Sequence, residues 1–140
     1  MRKNIQPVVQ PIVLKGGTAI TPFRRERECT LVLESGRIAA MGSIRNIDPP
    51  RNATWIDIDD CYVTPGFIDI HVHGGGGADF SDRDEDAIQT VSQVHAMHGT
   101  TSALATLYPQ TEEGFFKAIR RIRRHCERGY RDNIVEGIHL

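Results

Sequence analysis

The sequence predicts an α/β fold preceded by a small β-rich unit, and three observations carry that prediction. Residues up to about Cys61 break into short β-branched runs separated by turn residues. After Pro65-Gly66 the rhythm changes to apolar runs alternating with stripes at helical spacing. The resulting order, βαβαβ, is the repeating unit of a parallel barrel or of an open α/β sheet, with right-handed crossovers. Two regions follow: 1–62, built of strands, and 63–140, built of strands and helices.

In the first region Ile12-Val13-Leu14, Thr30 to Leu33 and Arg37-Ile38-Ala39 are expected strands, and Glu34-Ser35-Gly36-Arg37 reads as a hairpin turn. Trp55 to Ile58 and Tyr62-Val63-Thr64 continue the β character. The mixed charges of Arg24, Arg25, Glu26, Arg27 and Glu28 are expected in a solvated connection, and Asp48-Pro49-Pro50-Arg51-Asn52 in a second loop.

In the second region Phe67 to His73 is the first strand. Ser81 is the expected cap of a helix, followed by Asp82, Asp84, Glu85 and Asp86, whose charge suits the positive end of its dipole. Ile88, Val91, Val94 and His95 share one face, and Gly99 closes the helix. Thr100 to Leu107 fits a strand of small and β-branched residues. Thr111 opens a second helix with the stripe Phe115, Ile119, Ile122 and Cys126, and Ile134 to Leu140 supplies a third strand. Arg120, Arg121, Arg123, Arg124 and Arg128 surround that stripe without an aromatic platform, which reads as a solvated helix face.

Composition excludes more than it assigns. Lysine plus arginine number 17 against 18 acids, a formal charge of −1, so nothing pulls the chain toward nucleic acid or an anionic membrane. A small neutral or anionic metabolite stays compatible. Cys29, Cys61 and Cys126 form no CxxC pair, and reduced cytoplasmic thiols are expected. Arg2 and Lys3 precede an apolar run interrupted by Pro7, Gln10 and Pro11, and no stretch approaches the ~20 apolar residues of a membrane span.

The chemistry concentrates in Pro65-Gly66-Phe67-Ile68-Asp69-Ile70-His71-Val72-His73. On a regular strand Asp69, His71 and His73 face one way, and Ile68, Ile70 and Val72 face the other, toward covering helices. Two imidazoles on one face can share a divalent metal, zinc or iron, with Asp69 orienting them. They can equally hydrogen-bond to water or backbone. Gly74 to Gly77 follow directly and let the backbone approach a ligand closely, although such a run also suits a linker. His95 and His98 fall at a helix C-terminus, where the dipole favours a cation, and are not counted as ligands.

This stretch resembles the first-strand signature of the amidohydrolase superfamily of metal-dependent hydrolases. Its continuation through Gly74-Gly75-Gly76-Gly77-Ala78-Asp79-Phe80, His98-Gly99-Thr100-Thr101-Ser102, Ala105-Thr106-Leu107 and Glu136-Gly137-Ile138-His139-Leu140 is similar to the N-acetylglucosamine-6-phosphate deacetylases. The resemblance implies a partial (β/α)8 TIM-type barrel over 63–140 and part of a small β-sandwich over 1–62. A complete barrel takes about 250 residues, so the chain is expected to be an N-terminal portion.

The resemblance further implies hydrolysis of the N-acetyl group of an amino-sugar phosphate, with His71 and His73 as metal ligands, Asp69 in support, and one or two ions in a complete, homo-oligomeric enzyme. Gly74, Gly75, Gly76, Gly77 and His139 are weaker candidates for lining the substrate site, as are Thr100 and Thr101. The family's metal-binding glutamate of a Glu-Gly-Pro motif, its later histidines and its acid-base aspartate are expected past Leu140, so the chain by itself is expected to be inactive. The alternatives are another amidohydrolase, such as a dihydroorotase-like ring hydrolase or a deaminase, and a non-catalytic fragment that pairs with a complementary chain through its sheet edge.

Overall fold

The structure, a computed structural model, describes residues 10–84, 86–108, 111–129 and 133–140. The expectations for Arg2, Lys3, Pro7 and Glu85 lie outside the described residues. The chain divides into two compact units, Met1–Pro65 and Gly66–Leu140.

In the first unit, alternating apolar residues build strands β1 (Ile12–Ile20), β2 (Arg25–Glu34) and β3 (Arg37–Ser43), then β4 (Thr54–Asp57) and β5 (Tyr62–Val63). The sheet order is β3-β2-β1-β4, and β5 also pairs with β1. β1 runs antiparallel to β2 and parallel to β4 and β5. A small core of Ala19, Cys29 and Leu31 packs with Leu14, Leu33 and Val63. The β2–β3 hairpin turns through Ser35 and Gly36, at φ 51° and 73°, the positive values that a two-residue loop of type I′ requires.

The charged run at Arg25 to Glu28 is not a connection. These residues open β2, with Ile20 opposite Arg25 and Ala19 opposite Glu26. Side chains at this end of the ladder stay in water while their backbones pair, so charge alone does not mark a loop. β1 likewise runs on past Leu14, with irregular register on either side of Gly17.

The second unit contains β6 (Phe67–Val72), the short pair β7 (Gly74–Gly75) and β8 (Ala78–Asp79), helix α1 (Ala87–Met97), β9 (Thr100–Thr106), helix α2 (Glu112–Arg128) and β10 (Val135–His139). β9 lies between β6 and β10, and both pairings are parallel. Val72, Ala103, Ala105, Leu107 and Val135 from the sheet region join Phe80, Ile88 and Val91 and, from α2, Ala118 and Ile122 in one buried cluster. Each large apolar side chain so buried contributes about 1.5–3 kcal/mol. α2 is capped as its sequence requires: Thr111 Oγ1 accepts from Gly114 N–H at 3.2 Å, and Gly129 ends it in the left-handed conformation at φ 62°. No helix among the described residues is long and apolar enough to cross a membrane.

Two expectations fail here. Ser81 does not cap α1. Asp86 occupies that position without a side-chain cap bond, and the first turn holds no acidic residue, because residues 80–84 form a turn and irregular chain ahead of the helix. Ser81 instead accepts the backbone N–H of Tyr108 at 3.2 Å. Ile68 and Ile70 are not covered either, at 73% and 65% exposed. β6 is an edge strand, and α1 packs over β7, β8 and β9, so only Val72 of the three reaches the core.

Candidate active site

The site forms at the C-terminal end of β6. Between Asp69 and Val72 three steps of β6 answer two of β9, a local irregularity that breaks strict alternation. Side chains repair the ladder there. Asp69 Oδ1 accepts the backbone N–H of His71 at 3.0 Å, and Thr106 Oγ1 accepts that of Val72 at 3.1 Å. Asp69 therefore ties the backbone of the strand that carries the histidines.

The structure brings His71 and His73 together, with ring centroids 5.2 Å apart and the rings edge to face. His139 of β10 joins them, 4.8 Å from His71. Tyr108 stacks on His73 with centroids 3.9 Å apart and planes 13° from parallel. Nδ1 of His73 and Nδ1 of His139 are buried without a hydrogen-bond partner.

Gly74 to Gly77 are not a linker. They form the β7–β8 hairpin, turning through Gly76 and Gly77 at φ 64° and 82°. A Cβ on Gly74 would lie 2.2 Å from the Ala78 carbonyl oxygen, and one on Gly76 would lie 2.6 Å from Val94. His95 Nε2 donates to the Gly74 carbonyl at 3.1 Å, and Phe80 N–H donates to the His73 carbonyl at 2.9 Å. His98 Nδ1 donates to the Val94 carbonyl at 2.7 Å within its own helix, so both helix-end histidines are engaged with backbone. Thr100 is buried, whereas Thr101 is exposed and its hydroxyl donates to the Phe67 carbonyl at 3.5 Å.

Tyr108 and Thr106 were absent from the sequence-based site. A tyrosine after a strand of small residues carries no motif, and a threonine inside a strand reads first as β propensity. Burial pushes the Cys29 thiol up, with Glu26 adding to it, and burial does the same at Cys126, so neither of these two is an activated nucleophile. A cleft of about 1000 Å³ runs along α2 beside Arg83, Lys117 and Arg120, but none of the three clustered histidines lines it.

The residues fit a divalent ion as part of its cradle. Neutral imidazoles suit zinc or iron, and buried ring nitrogens without a protein partner are the atoms such an ion would satisfy. Among the described residues no group of three or more His, Cys, Asp or Glu side chains is spaced to hold an ion by itself.

The model of the amidohydrolase family matches residues 62–135, more than half of the chain, and the chain belongs to that family. The superfamily is generally dependent on divalent metals. The chain is similar to the N-acetylglucosamine-6-phosphate deacetylase of Lysinibacillus sphaericus, 22% identical over 129 residues, covering 92% of this chain and 33% of that protein. The corresponding enzyme of Vibrio furnissii is 38% identical over 73 residues, 52% of this chain and 18% of that protein. Among solved structures, a variant N-acetyl-D-glucosamine-6-phosphate deacetylase of Mycobacterium smegmatis, in complex with N-acetyl-D-glucosamine-6-phosphate, superposes with a TM-score of 0.78 at 30% identity, covering 94% of this chain and 32% of that one. The chain thus spans a third or less of the length of these relatives.

Proposed function

We propose that this chain carries the first part of the metal site of an amide hydrolase acting on an N-acetylated amino-sugar phosphate, releasing acetate and the free amine. His71 and His73 are the ligands, for zinc or iron, with Asp69 holding their strand. Residues 63–140 then correspond to the opening strands of a (β/α)8 barrel, and 1–62 to part of a small β-sandwich, in a cytoplasmic, homo-oligomeric whole enzyme. The observation that carries this reading is the convergence of the two imidazoles, 5.2 Å apart, at the C-terminal end of a parallel strand, where barrels of this type place their chemistry.

A divalent ion there would supply Lewis acidity toward the amide carbonyl and lower the pKa of water. The chain's own part is narrower. Asp69 and Thr106 hold the backbone on either side of His71, so both rings leave the strand at fixed points. The β7–β8 hairpin, pinned by His95 and Phe80, shapes the rim beside His73.

The reading is tested by Co²⁺ titration of the chain, followed by visible absorption. Weak saturable binding is expected, lost in His71→Ala and in His73→Ala and retained in His98→Ala. Equal binding by wild type and His71→Ala overturns it. Acetate release from N-acetylglucosamine 6-phosphate by the zinc- or iron-loaded chain is expected to stay at the level of the His71→Ala control, because two histidines leave the ion short of ligands. Turnover above that control would show that the site is completed within this chain or its oligomer.

A further inference from the structure

We infer that Tyr108 is a positioning residue for His73, fixing the orientation of its imidazole by stacking where a hydrogen bond would ordinarily do so; the inference rests on the metal reading above. A metal-binding histidine almost always donates its second ring nitrogen to a carboxylate, carbonyl or water, which stops the ring from turning. Among the described residues no hydrogen bond of this kind reaches the His73 ring, and its buried, unpartnered Nδ1 is the nitrogen left for the ion. The torsion that swings an imidazole is broad, so an unanchored ring samples many orientations. Tyr108 removes that freedom. With centroids 3.9 Å apart and planes 13° from parallel, rotation of the imidazole would drive its edge into the phenol face.

The clamp is itself held. Tyr108 N–H donates to Ser81 Oγ at 3.2 Å, and Ser81 N–H donates to Asp79 Oδ1 at 2.6 Å. The neighbouring Phe80 is fully buried and donates its N–H to the carbonyl of His73 at 2.9 Å. On the other side Leu107 is buried, and Thr106 bonds Val72. These contacts close a loop from His73 through Phe80 and Ser81 to Tyr108 and back to the His73 ring. The glycine hairpin thus does more than approach a ligand: it brings Ser81 to where it can seat the tyrosine. Because the stack uses the ring face, the hydroxyl of Tyr108 is dispensable for it.

Proton NMR of the histidine-labelled chain, with His73 assigned from His73→Ala, reads the clamp without metal. Wild type and Tyr108→Phe are expected to show the His73 ring protons shifted upfield by the neighbouring ring, and Tyr108→Leu and Tyr108→Ala to lose the shift. In Co²⁺ titrations Tyr108→Phe keeps the wild-type affinity, while Tyr108→Leu, which fills the space without a flat ring, binds about 10-fold more weakly or worse, the scale of a lost ligand-orienting contact. Tyr108→Ala is the more drastic variant, and backbone amide spectra check that both variants fold. Wild-type affinity in a folded Tyr108→Leu overturns the inference, as does a Tyr108→Phe as weak as Tyr108→Leu, or a wild-type chain without the upfield shift. A wild-type chain that shows the shift yet binds no Co²⁺ overturns the metal reading instead.

Discussion

The two units of this chain solve the same problem, burying one face of a sheet, by different means. In Gly66–Leu140 two helices and the segment around Phe80 lie over the parallel strands, and the cluster they form draws on the sheet, both helices and the segments between. In Met1–Pro65 the described residues form one sheet with a short 3₁₀ turn, Ile44–Asn46, and Trp55, Ile56 and Tyr62 remain 44–65% exposed. The helix-braced unit can hold a strand end rigidly, and it is the one that carries the clustered histidines. The difference teaches that a side chain's energetic weight here depends on which layer covers it, more than on its type.

Two phenylalanines test that most strongly. Phe80 is fully buried and Phe23 is 94% exposed. Phe80→Ala is expected to cost about 3–5 kcal/mol, whereas Phe23→Ser should stay within about 0.5 kcal/mol. Urea unfolding of both variants measures the contrast, and a small effect at Phe80 would break it.

Two glycines sharpen it further. Gly36 and Gly76 both sit in two-residue turns at positive φ, but a Cβ at Gly36 meets nothing within 4 Å, while one at Gly76 meets Val94 at 2.6 Å. Each substitution by valine pays the left-handed penalty of roughly 1–2 kcal/mol. Gly76→Val must also shift the Val94 and Thr90 side chains of α1, so it should destabilise more than Gly36→Val in the same thermal melts. Equal shifts would mean that the hairpin is not seated on the helix.

The smallest effect is a pH dependence confined to the helical unit. His125 of α2 is buried, and desolvation, with Arg128 adding to it, holds its pKa below the ordinary value of 6.5. A depressed histidine is protonated first in the unfolded chain, so stability should fall as pH drops below about 6.5 and level off beneath the folded value. His125→Gln should flatten that slope in unfolding curves recorded across the range. An unchanged slope would assign it to other groups.

Much of the local structure was legible because it depends on neighbours in sequence. The start of α2 at Thr111, the turn at Ser35-Gly36 and the paired histidines follow from spacing and residue type alone. Ser81 misled for an instructive reason: its composition suits a cap, but Asp79 and Tyr108 engage it before a helix can begin. Ile68 and Ile70 misled because alternation states which side a residue faces and says nothing of whether that side is covered.

What the sequence by itself determined is therefore the kind of each element and the placing of His71 and His73 within reach of one another, since a strand's geometry is set by its own backbone. Only the tertiary structure decided that His139 lies 4.8 Å from His71, that Thr106 completes the ladder at Val72, and that Tyr108 lies flat on His73. Each of these depends on the register of parallel strands joined through long crossovers, and a shift of one residue would face every such pair elsewhere. That register is chosen by the packing of α1 and α2 on the sheet, a property of the whole unit and of no single segment within it.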